Sequence, residues 1–564
     1  MMKTPLIYKV ILTLAAVALM TACTDALDES PDNRTEIDSP TKVRQLLTSG
    51  YPEVVPAVIC ELSGDNLVDD NVVVPSTHND PYSPFHEEAY YWEDITNYST
   101  SEDDTPYAVW EGYYAGIAVC NHAIEAMEEM AEEEGLSSPT EDEDLAPSWG
   151  EAHVLRAYLH FILVNVFAEA YKDDTQSASD YGIPYVTEPE TTVNVDYGSD
   201  RPSVKEVYDL IEADLVEGLQ YIDDSYYSVP AYHFNKNAAY GFAARFYLFK
   251  RDYEKCLEYA NAALGSNPST QLRKWANINT NTIDTRLNWY NDEEEPCNYL
   301  IQTAYSLFDR MLSACRFAIN DGSDAEDVPS TSDILMYGGG PNWNGTLPAF
   351  SGNVYMWSAG QEYGLWVFNI YEYFEYTDKI AGIGYVHIVY HPLTAEETLL
   401  CRAEAELYLG QTDAAIQDLE YWTAAKEVDN SLSLDDITDF YDGTYEDNIY
   451  ISDLHPQDMS SEFPTLTDDE LRVLYCILHF RRIETNFEGT RWFDIKRYGI
   501  TVHHAYKGAQ DYNVTHDYLT WDDPRRVLQI PNNVITAGYP STDRSDPDVD
   551  QNSYMTDTPS LATK

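Results

Sequence analysis

Apolar residues recur at three- and four-residue steps in several stretches of the chain, the spacing of one helix face. Between Trp110 and Met127 the stripe is Trp110, Tyr113, Tyr114, Ile117, Ile124 and Met127, and the polar Asn121 lies on it. From Trp149 to Tyr171 the pattern is apolar almost all round (Leu155, Tyr158, Phe161, Ile162, Val164, Phe167), which predicts a helix buried between neighbours. Ser203-Val-Lys-Glu206 is a capping box, and Val207, Leu210, Ile211, Leu215 and Leu219 form the stripe that follows it.

Two later stretches read as copies of one another. Ala243 to Asp252 precedes Leu257-Glu-Tyr-Ala-Asn-Ala-Ala263, and Ala403 to Asp413 precedes Leu419-Glu-Tyr-Trp-Thr-Ala-Ala425. Tyr247, Leu248 and Asp252 align with Tyr408, Leu409 and Asp413. Each copy predicts a helix, a short turn and a helix, as in a tetratricopeptide-type unit of ~34 residues. Such units bury their apolar faces by stacking, so at least about three pairs are expected. Residues 265–392 and 427–468 differ: they are rich in Asn, Asp, Gly, Ser, Pro and aromatics. They are too long for structureless loops and predict an irregular lobe.

Composition narrows the function. Among 564 residues, 33 are Lys or Arg and 97 are Asp or Glu, a formal charge of −64. Neutralising phosphates needs a basic footprint, so nucleic-acid binding is excluded, as is a polybasic membrane surface. The aromatic fraction of 13% separates the chain from acidic disordered sequences. The start is different again. Lys3 and Lys9 precede a short apolar run, Val10 to Met20, too short to span a bilayer. Leu19-Met20-Thr21-Ala22-Cys23 resembles a bacterial lipoprotein signal, with Cys23 lipidated and an acidic segment, Thr24 to Glu29, behind it. The seven other cysteines are scattered, odd in number and without a CxxC, which predicts small buried hydrophobes and neither a disulfide framework nor a cysteine-rich zinc site.

A series of motifs runs in order along the chain: Ser63-Gly-Asp-Asn66, Trp110-x-x-Tyr113 to Asn121, Gly150-Glu-Ala-x-x-Leu-Arg-Ala157, Gly182 to Pro189, Arg201 to Tyr208, Asn291-Asp-Glu-Glu-Glu295, Arg402 to Gly410, Phe487 to Arg497, and Asp523 to Pro531. In this order, and with the lipoprotein signal, the sequence resembles the SusD/RagB family of surface nutrient-binding lipoproteins of Bacteroidetes. Asn532-Asn533 and Thr542-Asp543 depart from the family's usual closing pattern.

The resemblance implies a mainly α fold, with tetratricopeptide-like helical hairpins packed against an irregular, loop-rich lobe. It also implies a non-catalytic role: capture of oligosaccharide and delivery to a SusC-like TonB-dependent outer-membrane transporter. Peptide or another nutrient is the alternative cargo, and a helical glycoside hydrolase is the more distant alternative function. The expected boundaries are a signal over 1–22, a lipidated segment over 23–50, a helical region over 51–264, an irregular lobe over 265–392, a hairpin over 393–426 and a C-terminal region over 427–564. Localisation at the outer membrane through the lipid anchor follows.

Chemistry-bearing patterns are few. There is no HExxH, GxSxG, P-loop or GxGxxG. His387 and His391 have a helical metal spacing, but Pro392 disfavours helix there. Asp65, Asp69 and Asp70 lack an EF-hand's spacing and glycine, so a Ca²⁺ site is unsupported and no cofactor is expected. Aromatics are more telling, because sugar C–H faces stack on indole and phenol rings. Tyr337 to Trp366 holds three Trp where the chain average gives about 0.6. Its Pro341-Asn342-Trp343-Asn-Gly345 and Tyr355-Met-Trp357 read as exposed loop tips. By position in the resembling family, Tyr91 and Trp92 form one stacking cluster and Trp343 or Trp357 the other. Asp65, Asn66, Asn342 and Tyr355 are the accompanying ligand contacts. Arg481, Arg482, Arg491, Lys496 and Arg497, interleaved with Glu484, Glu488 and Asp494, predict an internal ion-pair network.

Overall fold

The computed structural model describes residues 37–69, 83–189, 201–278, 283–314, 317–319, 331, 333–350, 368–507 and 514–545. Cys23, Cys315, Tyr355, Trp357 and Trp366 lie outside them. From Pro40 onward the described residues form one compact unit.

Its first layers are helical. Short helices α1 (Pro40–Leu47) and α2 (Ala57–Ser63) are followed by strand β1 (Leu67–Asp69) and helix α3 (Pro84–Tyr90). The predicted amphipathic stretches then become α4 (Pro106–Glu134), α5 (Ala146–Phe167) and α6 (Val204–Leu219). Every residue of α5 from Pro147 to Phe167 is buried, as its all-round apolar pattern requires. The box at Ser203 forms as read: Ser203 Oγ accepts from the Glu206 N–H at 3.2 Å, and Glu206 Oε2 accepts from the Ser203 N–H at 2.7 Å. Where α5 crosses α6, Gly150 and Gly218 lie against one another; a Cβ on Gly218 would sit 2.7 Å from the Gly150 carbonyl oxygen.

The duplicated stretches are two helical hairpins, α7 (Lys236–Phe249) with α8 (Tyr253–Leu264), and, further on, α9 (Ala395–Tyr408) with α10 (Thr412–Ala425). The four helices stack in series, α8 against α9. Aromatic rings fill the layer between α5, α6 and α7, with Phe161 5.5 Å from Phe242 and Tyr208 5.7 Å from Phe246.

The irregular lobe between the hairpins contributes strands to two small sheets. One comprises β2 (Asn298–Ala304), β4 (Glu372–Asp378) and β5 (Ile383–Thr394), in the antiparallel order β2-β5-β4. The other joins β3 (Phe317–Ile319) to β1 and to the late hairpin β6 (Val502–Lys507) and β7 (Val514–Leu519), in the order β3-β1-β6-β7. Helices α11 (Asp468–Glu484) and α12 (Thr490–Tyr498) carry the basic cluster.

Three helices are clamped by a buried polar triad, and the arrangement occurs twice. Arg156 on α5 makes a bidentate pair with Asp214 on α6 (2.8 and 2.7 Å) and donates to Asn121 Oδ1 on α4 at 2.8 Å. Arg402 on α9 pairs with Asp418 on α10 (2.7 and 2.7 Å) and donates to Asn261 Oδ1 on α8 at 2.9 Å. Asn121 lies on an apolar stripe because it completes such a clamp. The basic cluster is likewise internal, but its partners are mostly distant in sequence. Arg497 pairs with Glu404 and Asp494, and Arg481 with Asp494. Arg491 pairs with Asp65, and Lys496 donates to the Asn165 and Ala168 carbonyls. Cys60, Cys120, Cys256, Cys297, Cys401 and Cys476 are free and buried.

Candidate ligand-binding surface

The expected ligand contacts separate into interior and surface. Asp65 and Asn66 follow α2; Asn66 is buried and Asp65 half-buried, and both are engaged by arginines. Asp65 accepts from Arg491 Nε and Nη2 at 3.0 and 2.7 Å, and Asn66 Oδ1 accepts from Arg482 Nε at 2.8 Å. Burial alone would raise the Asp65 carboxyl, but the charges of Arg482 and Arg491 hold it well below the usual carboxylate range. Asn66 in turn donates to Glu61 at 2.8 Å, whose other oxygen accepts from the Gly489 N–H. The motif Ser63 to Asn66 staples the end of α2 to α11 and α12, which corrects its expected role as a ligand contact.

Trp92 is corrected in the same sense. Its backbone takes φ +53°, which turns the indole inward. The ring is 1% exposed and forms the end of a Tyr90–His504–Trp92 stack with centroid spacings of 4.0 and 4.2 Å. Arg525 lies over the indole at 5.4 Å, and the indole N–H donates to the Ser63 carbonyl at 2.9 Å. A ring so covered has no face left for a sugar. Neighbouring Tyr91 is half-buried and donates to Asp69 at 2.5 Å.

The loop-tip reading of Asn342 and Trp343 is also corrected. Both are buried. The Trp343 ring folds back over Gly340, where a Cβ would lie 2.0 Å from the indole, and packs 5.7 Å from Phe480 on α11. Gly340 therefore makes room for an indole, while a Cβ on Gly338 would meet the Tyr450 hydroxyl. Asn342 donates to Thr423 and to the Asn430 carbonyl, tying the loop to the end of α10. Trp343 pins the lobe down.

Tyr181, Tyr232, Tyr337, Tyr445 and Tyr518 are exposed singly, whereas a cluster of exposed aromatics lies on the β4–β5 hairpin. Alternation places Phe374 and Tyr376 on one face, in edge contact at 4.8 Å, and Tyr373, Glu375, Tyr385 and His387 on the other. On that second face Tyr373 stacks on His387 at 5.6 Å, and Tyr371 lies 5.2 Å from Tyr373. Tyr305 contacts Tyr385 at 5.4 Å. Polar groups are interspersed: Tyr385 donates to Glu375 at 2.8 Å, and Asn291 Nδ2 donates to the Tyr373 hydroxyl at 2.9 Å. Phe374, Tyr376, Ile383 and Tyr385 are exposed, and Ile380 at the turn is fully so. Gly384 is required between the strands, since a Cβ there would lie 2.0 Å from the Glu375 carbonyl oxygen and 2.8 Å from the Phe374 ring. The signal is present in the sequence as Tyr371-Glu-Tyr-Phe-Glu-Tyr376, aromatics alternating with acids ahead of Gly382 and Gly384.

Among the described residues there is no group of three or more His, Cys, Asp or Glu side chains placed to hold a metal, and no helix long and apolar enough to cross a membrane.

Comparison with known proteins bears on the whole arrangement. A family model described as "Starch-binding associating with outer membrane" matches residues 25–248, and the SusD family model matches residues 395–540. SusD-like protein P2 of Formosa agariphila is 25% identical over 430 residues, covering 72% of this chain and 74% of that protein. SusD-like protein P38 of the same organism is 23% identical over 489 residues, covering 78% and 82%. A SusD superfamily protein from Bacteroides vulgatus superposes with a TM-score of 0.54 at 18% identity, over 91% of this chain and 100% of that one. A SusD-like carbohydrate binding protein from the same species gives 0.51 at 15% identity, over 89% and 96%. Stacked hairpins around an irregular lobe are thus the shared fold, and the chain belongs to the SusD family.

Proposed function

We propose that this chain is a lipid-anchored, surface-exposed glycan-binding protein, without catalytic activity, that captures oligosaccharide and delivers it to a SusC-like TonB-dependent transporter. The observation that carries the glycan reading is the aromatic hairpin. Phenol rings stand at strand spacing on a projecting sheet, with Glu375 and tyrosine hydroxyls between them to meet sugar hydroxyls. Rings supply the stacking area and the polar groups orient the ligand. Tyr91, Tyr355 and Trp357 remain proposed ligand contacts, whereas Trp92 and Trp343 are buried in the framework.

The test is calorimetry of the unlipidated chain against a glycan panel. Tyr385→Ala or Tyr373→Ala should weaken the glycan that binds by about 1–3 kcal/mol, the range for loss of a stacking aromatic. Unchanged affinity in both would reject the hairpin as the site. Reducing sugar released during incubation would overturn the non-catalytic reading. The anchor is tested separately: a fatty-acid analogue fed to cells should label the wild-type chain and leave Cys23→Ser unlabelled.

A second cargo, cationic peptide, is favoured by one observation, the formal charge of −64, which would steer positive ligands toward the chain. A calorimetric response to basic peptides with silence on every glycan would move the assignment there.

A further inference from the structure

The buried end of β5 borders a cavity of about 50 Å³ between α4, α5, α7 and α12. Its accessible lining is mostly apolar, with Val55, Ile162, Ile370, Ile388 and Phe493 on it, and several of the polar groups set into it are unmatched. The hydroxyls of Tyr113 on α4, Tyr158 on α5 and Tyr390 on β5 make no hydrogen bond with any described residue. Burial raises the Tyr113 phenol well above its ordinary range, and the neighbouring Tyr158 and Tyr390 hydroxyls add to the shift. His391 is 1% exposed, and neither of its ring nitrogens has a partner among the described residues; Thr490 Oγ, also buried, has none. Arg245 spends Nε and Nη2 on Glu397 and the Pro392 carbonyl, and Nη1 makes no hydrogen bond among the described residues. Glu488 completes the lining.

Buried, unpaired polar atoms such as the His391 ring nitrogens and Thr490 Oγ are costly at about 1–3 kcal/mol each, so an occupant that satisfies them would be stabilised there. At ~10–15 Å³ per water, the volume corresponds to about four waters. The lining also sets the occupant's charge. Burial, reinforced by Arg273, holds His391 neutral, so it presents one donor and one acceptor. Burial, with the charge of Glu484 adding to it against Arg245, pushes the Glu488 carboxyl up to about 8, leaving it protonated at neutral pH. Phenols, the Thr490 hydroxyl and a protonated carboxyl each both give and accept. The open Arg245 Nη1 would attract an anion, but an anion has no donor for the imidazole acceptor and would lie near Glu397, whereas a neutral hydroxyl-bearing molecule matches donors and acceptors alike.

We propose that this chamber is a binding site for a small uncharged polyol, of about three or four carbons by volume, which exchanges with a cluster of buried waters. The site is separate from the hairpin, so failure of the hairpin variants to lose glycan leaves it standing.

Saturation-transfer NMR and calorimetry on the full unlipidated chain, with glycerol and erythritol as probes and acetate as charged control, decide it. Saturable binding of one polyol in the mM range is expected. Tyr158→Phe combined with Tyr390→Phe should weaken it at least tenfold with an unchanged circular dichroism spectrum. Thr490→Val, which keeps shape and removes one hydroxyl, should weaken it several-fold and serves if the double variant does not fold. Equal binding by wild type and variants, preference for acetate, or a high-resolution structure at saturating erythritol with only waters in the chamber would each overturn the proposal.

Discussion

The helix stack and the β4–β5 hairpin solve opposite problems with the same kinds of residue. In the stack, Arg156 and Arg402 each close on a carboxylate and an asparagine, and three helices are fixed at one point. On the hairpin, Tyr385 and Glu375 also pair, but out in solvent, and the rings beside them remain exposed. A charge closed inside the stack holds geometry, because removing its partner strands it in a low-dielectric interior. An aromatic left open holds contact area in reserve. Substitutions in the stack should therefore act on stability, and those on the hairpin on binding.

The largest effects should come from breaking a clamp. Asp214→Ala leaves Arg156 buried without its carboxylate and should cost about 3–5 kcal/mol by urea denaturation, and Asp418→Ala should cost a similar amount through Arg402. A loss below about 1 kcal/mol at both would show that the clamps do not hold the stack. Trp92→Ala belongs in the same class: removing a buried indole costs about 3–5 kcal/mol. Next comes the glycine crossing. Gly218→Val forces a side chain against the Gly150 carbonyl and should cost about 1–3 kcal/mol, read as a lowered melting temperature.

Much of the stack is legible in the sequence because its signals are local. The stripe at Trp110 to Met127, the box at Ser203 and the duplicated hairpins each state a helix within a few turns, and all form. The lobe's signals are not local. Trp343 looks like a loop tip, and Trp92, outside the lobe, like a ligand-stacking ring, until Tyr90, His504 and Phe480, the last two far away in the chain, are placed beside them. For the same reason Asp65 reads as a ligand contact: Arg482 and Arg491, which occupy it, lie more than four hundred residues on. The hairpin is hard to single out because alternation of Tyr and Glu shows a two-faced strand without saying that both faces are open.

The two clamps also differ from each other, and pH separates them. His153 and Tyr185 add donors to Asp214 at 2.9 and 2.5 Å. Although burial opposes it, Arg156 and His153 hold that carboxyl well below its usual range. Its contribution is therefore in place above about pH 4 and is lost as pH falls further. Beside Asp418 lies a second acid, Glu406, which burial and the Asp418 charge push up to about 8. The native state then holds a proton that the unfolded chain releases near pH 4–5, so stability should fall as pH rises from about 5 to 8, by at most about 1.4 kcal/mol per unit. Glu406→Gln should flatten that fall in denaturation curves taken at about pH 5, 6.5 and 8. An unchanged slope would remove Glu406 as its source.

The smallest expected effect is the one that separates stack from hairpin most directly. Phe374→Ala and Tyr376→Ala remove two rings that meet at 4.8 Å on an exposed face. Substitutions of exposed groups usually stay within about ±0.5 kcal/mol, and neither ring reaches into the stack. Urea midpoints should therefore be nearly unchanged, with the slope of the transition also preserved. Gly384 adds a refinement, since Phe374 covers it; the Phe374 variant should lose slightly more than the Tyr376 variant. A loss above about 1 kcal/mol in both would mean that the hairpin is part of the cooperative core, and its open rings would then need a structural explanation in place of a binding one.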